Sequence, residues 1–309
     1  MRILILGGAG FIGSHLVGLL NNSEHELVVL DNLSSGSREN IPPTVKFYQM
    51  DIRDNDLEKI FGEYHFDVVV NLAAQTMVPY SLEHPDEDAD INILGLINVL
   101  NCCRKHSVQR VIFSSSAAVY GNNINVPLKE NEAPMPTSFY GLTKMTAEHY
   151  MRVYNELYGF DAIVLRFANV YGERQGNGGE GGVISIFAKR IAEGLPISLF
   201  GDGEQTRDFV YAGDIAEAIA AALDVQGYHI INVSNAIEIS INELIQNFAQ
   251  VAQKEIKVDY QEARAGDIYR SRLDNSCLKK ELGILPQTTL QEGLLKTYNY
   301  FAELAREDN

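Results

Sequence analysis

In the stretch "FYGLTKMTAEHY", Tyr140 and Lys144 stand four residues apart, so on a helix both side chains share one face. Alone, the pair has a plain structural reading, a surface cation laid along an aromatic ring. Ser116 gives it another. It closes the run "RVIFSSS" 24 residues before Tyr140, where three hydroxyls end a buried-strand pattern and two alanines, Ala117 and Ala118, come next. Open parallel sheets bind ligands at the carboxyl ends of their strands, which is where Ser116 would lie. A phenol with an ordinary pKa of about 10 is a poor base at neutral pH, but positive charge beside it favours the phenolate. Lys144 supplies such charge, and Ser116 can hydrogen-bond the hydroxyl being deprotonated. Together the three can take a proton from an alcohol, and oxidising that alcohol requires a hydride acceptor.

A place for the acceptor opens the chain. "ILILGGAGFIGSHL" sets a strand, a glycine turn and a helix in succession, with Gly7, Gly10 and Gly13 spaced G-x-x-G-x-x-G. Glycines let the backbone turn tightly and approach a pyrophosphate, which the helix N-terminus stabilises. Asp31 ends the second apolar run, "VVLDN", about 20 residues on, where a carboxylate accepts hydrogen bonds from adenosine ribose hydroxyls. A carboxylate there repels a ribose phosphate and Asn32 offers no compensating charge, which favours NAD over NADP; Arg38 is near enough in sequence to leave the alternative standing. Asp51 and Ile52 end the third predicted strand and could flank the adenine, although a helix cap accounts for Asp51 equally well.

Positioning these groups takes a regular scaffold, and the chain has the rhythm of one. Short runs, "RILIL", "ELVVL", "KFYQM", "DVVVNLA", "RVIFSS" and "AIVLRFAN", alternate with helical patterns such as Ile91 to Lys105 and Lys144 to Leu157. That alternation predicts an α/β fold with a Rossmann-type, doubly wound parallel sheet. Past Asn169 the pattern loosens into "ERQGNGGEGG", which reads either as a surface linker or as part of a substrate lid. "YAGDIAEAIAAALD" reads as a helix opened by Asp214, and "IINVSN" as a further strand. The C-terminal third, with helices near Ile241 to Gln253 and Leu290 to Leu304, is expected to form a smaller, mixed substrate-binding lobe.

Composition narrows the partners. With 25 Lys and Arg against 41 Asp and Glu, the 309-residue chain carries a net charge of −16, so it is not expected to bind nucleic acid. An anionic small molecule needs only a few arginines and helix N-termini. Cys102, Cys103 and Cys277 have no metal-ligand spacing and make a poor disulfide framework, which points to no metal and to a reducing, cytoplasmic setting. No run is long and apolar enough to suggest a membrane span.

In order along the chain, "GGAGFIGSHL", "DNLSSG", "NLAAQ", "FSSSAAVYG", "YGLTK", "LRFANVYG", "FGDGEQTRDFVY" and "RAGDI" resemble the extended short-chain dehydrogenase/reductase superfamily, and within it the UDP-glucose 4-epimerase branch of NAD-dependent sugar epimerases. The resemblance covers nearly the whole chain and is strongly specific for family, less so for substrate. It implies an NAD-binding domain over 1–168 and 204–232 and a nucleotide-sugar lobe over 169–203 and 233–309. It makes Ser116, Tyr140 and Lys144 the catalytic triad. It assigns the cofactor to Gly7, Gly10, Phe11, Ile12, Gly13, Asp31, Asn32, Asp51, Ile52, Leu72, Ala73, Ala74 and Asn92, with Tyr140 and Lys144.

For a UDP-sugar the same resemblance implies contacts from Ser116, Tyr140, Asn169, Val183, Arg207, Arg264, Asp267 and Ser271. Either arginine could instead be a structural ion pair, Arg207 being flanked by Asp208; Ser271 is either a gate on the sugar pocket or a turn serine before a strand. Where many relatives place Asn-Leu near the uracil, this chain has Gly182-Val183. The helices at 91–105 and 144–157 would form a homodimer seam, or pack only on their own sheet. Related dehydratases carry an acidic pair just after the hydroxyl; Ala117 and Ala118 can neither protonate a leaving group nor act as a base. The expected reaction is therefore 4-epimerisation of a UDP-hexose through a transient 4-keto sugar. UDP-glucuronate 4-epimerisation, net NAD-dependent oxidation, 4,6-dehydration and a non-catalytic NAD-binding role are its competitors.

Overall fold

The computed structural model describes residues 1–176, 182–263 and 268–307. Its first six strands are β1 (Arg2–Leu6), β2 (Glu26–Asp31), β3 (Lys46–Gln49), β4 (Val68–Asn71), β5 (Arg110–Ser116) and β6 (Asp161–Phe167). The helices between them are α1 (Phe11–Leu20), α2 (Leu57–Tyr64), α3 (Val78–Glu83), α4 (Pro85–Ala89), α5 (Gly95–Lys105) and α6 (Phe139–Tyr158). Beyond β6 lie β7 (Asn169–Tyr171), α7 (Val183–Ala192), β8 (Ile197–Phe200), β9 (Thr206–Arg207), β10 (Phe209–Tyr211), α8 (Ala212–Ala221) and β11 (Tyr228–Val233). The chain ends with β12 (Ile239–Ser240), α9 (Ile241–Ala252), β13 (Val258–Gln261), α10 (Ser276–Leu282) and α11 (Leu290–Glu307).

Seven strands form one sheet in the order β11-β6-β5-β4-β1-β2-β3, every pairing parallel. Strands covered on both faces must be apolar throughout, and the continuous runs "ILIL" and "VVV" satisfy that requirement. One face packs on a core with Leu16, Val17, Ile215 and Ile219; the other packs on Leu57, Leu96, Val99 and Met151. The strand order reverses between β1 and β4, so the ends of these two strands flank the crevice where such sheets take ligands.

A second, smaller core gathers α7, α9, α11 and the short strands β8 and β13 around Phe187, Phe248, Leu294 and Phe301. Helix α9 starts on a reciprocal capping box between Ser240 and Glu243. The C-terminal segment also returns to the first lobe: Leu273 and Leu278 sit in the sheet's core, and α10 packs on β11.

Helix boundaries depart from the sequence expectations where tertiary contacts set them. α6 begins at Phe139 rather than at Lys144, because Ser138 caps it by accepting from the Gly141 N–H at 3.1 Å. The helix expected from Ile91 is regular from Gly95, with a π-helical stretch at Asp90–Leu94 joining it to α4. Asp214 does not open α8. That helix starts at Ala212, and the Asp214 carboxylate accepts from the Gln287 and Thr288 N–H groups instead, tying the approach to α11 onto α8. Of the glycine-rich loop, 177–181 lie outside the described residues.

The buried stripe of α6 holds two charges, Lys144 and Glu148, besides Thr143, Ala147 and Met151. Glu148 is accounted for by Arg166 on β6, which donates to both its oxygens at 2.9 and 2.7 Å. Arg166 in turn donates to the Tyr120 hydroxyl, which donates to Asn232 on β11. Breaking such a pair from one side typically costs about 3–5 kcal/mol, because the surviving charge stays buried and alone. The pair thus locks α6 to β6 behind the site.

Candidate active site

Three glycines build a cradle at the end of β1 that no side chain could share. Gly7 has φ +74°, and a Cβ there would stand 2.7 Å from the Ala73 nitrogen just after β4. A Cβ on Gly13 would stand 2.2 Å from the Gly7 carbonyl oxygen. Gly36, which sequence reasoning passed over inside "DNLSSG", presses on the Ala9 backbone, where a Cβ would meet the carbonyl carbon at 2.7 Å. Its only signal was a glycine in a polar turn. Gly10 is the N-cap of α1, so Phe11 and Ile12 occupy the first turn, whose free N–H groups face an incoming anion.

Asp31, 7% exposed, accepts from the Ala9 N–H at 2.9 Å and the Leu33 N–H at 2.8 Å, one bond to each oxygen. Each oxygen retains a lone pair for a ribose hydroxyl. Arg38 does not offset this charge toward a 2′-phosphate: its guanidinium lies over the Phe47 ring and donates to the Ile41 carbonyl. The group implied here, an NAD dinucleotide, fits a cradle of this kind: close backbone approach, a helix N-terminus and a carboxylate with spare acceptors.

Asn32 donates to Asp51 at 2.9 Å, and Arg53 holds the Asp51 carboxyl down to about 2. Asp51 is not a helix cap, since α2 starts well after it, at Leu57 behind Asp56. Ile52 is buried against the position that Gly95 leaves open. Leu72, Ala73 and Ala74 follow β4 beside the glycine turn. Asn92 lies deeper: its amide donates to the Gln75 carbonyl, Asp88 and Thr143, and its Oδ1 accepts from the Gln75 N–H.

Ser116, Tyr140 and Lys144 come together at the end of β5. The Lys144 ammonium donates to the Ser114 carbonyl at 2.9 Å and lies 4.9 Å from the Phe113 ring centre and 5.8 Å from that of Tyr140. Burial pulls it down to about 8, against the opposing charges of Asp88 and Glu148. Burial pushes the Tyr140 phenol up to about 12, while a hydrogen bond with Ser116 favours the phenolate. The three consecutive serines divide the work. Ser114 donates to the Asn71 carbonyl of β4 and Ser115 to Glu148, while Ser116 accepts from the Ala118 N–H at 3.2 Å and acts on Tyr140. Gly141 lets α6 press on this turn, since a Cβ there would meet the Ala118 carbonyl oxygen at 2.6 Å.

Asn169, through the β7–β10 pairing, and Arg207, in sequence, both adjoin Asp208. Its carbonyl accepts from the Asn169 N–H, and its carboxylate accepts from the Asn235 and Leu273 N–H groups. Asp208, fully buried, is thus a backbone clamp rather than the ion partner that its position beside Arg207 suggested, and desolvation pushes its carboxyl up to about 7. Arg207 donates to the Ile268 carbonyl, which brings it to the segment that carries Ser271. Ser271 is buried between Arg270, paired with Glu238, and Leu273, which forms a single bridge to Leu128 in place of the anticipated strand. Val183 opens α7 against the second core. Arg264 and Asp267 lie outside the described residues. Among the described residues no cluster of His, Cys, Asp and Glu could hold a metal ion, and no helix is long and apolar enough to cross a membrane.

The crowding at Gly13 yields a direct test. Gly13→Ala should force the turn open, and overpacking of about 1–3 kcal/mol should lower NAD affinity about tenfold, measured by calorimetry on the stripped protein. Wild-type affinity in that variant would show that the cradle is not the cofactor site.

Comparison with known proteins agrees with this geometry. The structure matches a UDP-glucose 4-epimerase of Thermotoga maritima, solved with UDP-glucose, at a TM-score of 0.95 and 38% identity over 98% of this chain and 99% of that one. It matches the UDP-glucose 4-epimerase of Thermus thermophilus in complex with NAD at 0.92 and 40%, over 97% and 99%. A UDP-N-acetylglucosamine 4-epimerase from Methanobrevibacter ruminantium, in complex with UDP-N-acetylmuramic acid, matches at 0.93 and 37%, over 98% of each chain. Residues 3–234, from the first strand through the glycine cradle and the Ser116–Tyr140–Lys144 cluster to the last strand of the sheet, match the model of one family, and the chain belongs to it: the NAD dependent epimerase/dehydratase family.

Proposed function

We propose that the chain interconverts UDP-glucose and UDP-galactose, and the corresponding N-acetylated pair, by epimerisation at sugar C4. The observation that carries this reading is the meeting of Ser116, Tyr140 and Lys144 at a strand end beside the glycine cradle, with Ala117 and Ala118 next in the chain. When bound, NAD supplies the hydride acceptor and donor. Tyr140 takes the proton from the 4-hydroxyl and returns one to the 4-keto sugar after it has turned over in the pocket. Lys144 stabilises the phenolate by charge, and Ser116 holds the sugar oxygen in line. Ala117 and Ala118 provide no acid to expel a neighbouring hydroxyl, so return of the proton and hydride is the available outcome. Asn169, Val183, Arg207, Arg264, Asp267 and Ser271 are proposed to hold the UDP-sugar, the arginines by paired hydrogen bonds to the diphosphate.

Tyr140→Phe should retain NAD and lose about a hundredfold or more in turnover, the scale set by a positioned acid/base. The assay mixes protein with UDP-glucose, UDP-N-acetylglucosamine or UDP-glucuronate and separates the epimers. Near-normal turnover by the variant would remove Tyr140 from the mechanism, and turnover of UDP-glucuronate alone would move the substrate to the uronate series.

Ser271 is proposed to leave room for a 2-acetamido group. Ser271→Tyr should abolish activity on the acetylated pair while the unacetylated pair keeps much of its rate, since atoms in a packed pocket cannot overlap without distortion. Equal loss on both pairs would show that the position is not a gate.

The same reading includes a homodimer in the cytosol. Along α6, Leu142, Val153 and Leu157 are 42, 38 and 67% exposed, and Tyr158 beside them is 46% exposed, an apolar strip suited to a second copy. The free thiols Cys102 and Cys103 are buried and unbridged, which suits a reducing compartment. Leu157→Glu should shift the mass measured by light scattering from dimer to monomer; an unaltered dimer would place the interface elsewhere.

A further inference from the structure

Asp88 is a carboxylate with no solvent exposure, on a helix the mechanism has not used. It accepts from Gln75 Nε2 at 2.6 Å, Asn92 Nδ2 at 3.2 Å and the Thr143 hydroxyl at 2.7 Å. All three donors are neutral, and among the described residues Asp88 has no Lys or Arg salt-bridge partner. Thr143 immediately precedes Lys144 on α6. Gln75 belongs to the segment after β4 that passes the glycine turn, and Asn92 to the π-helical stretch before α5. One buried charge therefore ties together the three segments that border the reactive cluster.

We propose that Asp88 is a positioning residue for the reaction: it fixes the start of α6 against the segment after β4 and serves as the uncompensated counter-charge for the Lys144 ammonium. This rests on the role of Tyr140 and Lys144 proposed above. The groups around Lys144 and Tyr140 support the assignment. β5 contributes the Ser114 carbonyl, the Phe113 ring and the Ser116 hydroxyl, none of them charged. α3 contributes the Ser81 hydroxyl, which accepts from the Tyr140 N–H. On α6 itself are Tyr140 and Glu148, but Glu148 is neutralised by Arg166 of β6 and bonded by Ser115. Asp88, from α4, is the acid whose charge is left over for the lysine. It opposes the effect of burial on Lys144, and it opposes ionisation of Tyr140.

Both influences have the same sign on the pH axis. A negative charge raises the pKa of the ammonium and of the phenol alike, so its removal lowers both. Asp88→Asn, close in shape, should therefore move both limbs of the kcat–pH bell to lower pH, each by about one unit, the scale of a close charge. At alkaline pH, turnover should fall about tenfold further than at neutral pH, while KM and NAD content change little. Thr143→Val removes hydrogen bonds to Asp88, Asn92 and the Tyr140 carbonyl but no charge, so it should lower kcat with both limbs in place. Gln75→Lys sets an ammonium beside the carboxylate, and should displace the limbs as Asp88→Asn does, even where the latter fails to fold. Limbs unmoved in Asp88→Asn, or in Gln75→Lys if only that variant folds, would overturn the counter-charge role whatever the loss of rate. So would limbs that move equally in Thr143→Val. Were Tyr140→Phe fully active, the reading of the cluster would fail instead, independently of where these limbs lie.

Discussion

The ammonium of Lys144, 2% exposed, is the constraint on which much of this structure turns. A charge taken out of water needs donors, acceptors and counter-charge arranged before it arrives, or it gives up its proton. Here the arrangement is distributed over the fold: a carbonyl from β5, a ring face from Phe113, and acids from α4 and α6. None of these comes from a mobile side chain at a surface. Each sits on an element fixed by the sheet or by α6, so the lysine's position follows from the packing of the domain as a whole.

α6 carries the strain of that demand. Its buried stripe would ordinarily be aliphatic, and in a helix of twenty residues Lys144, Glu148 and Thr143 replace a large share of the apolar contact. The structure offsets this by giving every one of the three a specific partner across the interface. Arg166 answers Glu148, Asp88 answers Thr143, and the Ser114 carbonyl answers Lys144. Polar groups paired in this way specify register as well as stability: a shift of α6 by one turn would leave several charges unmatched.

That logic explains which parts were readable in the sequence. The sheet was legible because both-face burial forces continuous β-branched runs, and the glycine turn because Gly7 and Gly13 meet backbone rather than side chains. Tyr140 and Lys144 were legible because helical spacing alone places them together. Asp88 was not, since "HPDEDAD" reads as a solvated acidic run, and Asp86 and Glu87 beside it are exposed. Only the turn at which α4 meets α6 singles out one acid of that run for burial. Asp208 hid in the same way beside Arg207, where a neighbour in sequence suggested an ion pair and the fold instead made a clamp of backbone N–H bonds. Asp51 likewise could not be separated from a helix cap until α2 was seen to start behind Asp56.

The proposed reaction asks two opposite things of one site, and the structure divides them by residue size. A cofactor that is reduced and reoxidised within a single turnover has to stay in place, and its cradle is built from close backbone contacts. Gly7, Gly13 and Gly36 leave no slack, and Asp31 is bonded to the Ala9 N–H inside the same turn. A sugar that must present both faces in succession needs the reverse, room around the ring and a hold elsewhere. The residues proposed to leave that room are small: Ala117 and Ala118 after Ser116, and Ser271 at the proposed sugar end. The long cationic side chain of Arg207, proposed to grip the diphosphate, donates instead to the Ile268 carbonyl, on the segment that leads to Ser271. In the proposed reaction, rotation of the ring would then cost few contacts if the nucleotide carried most of the binding energy, and near C4 would remain the short list of groups that move a proton.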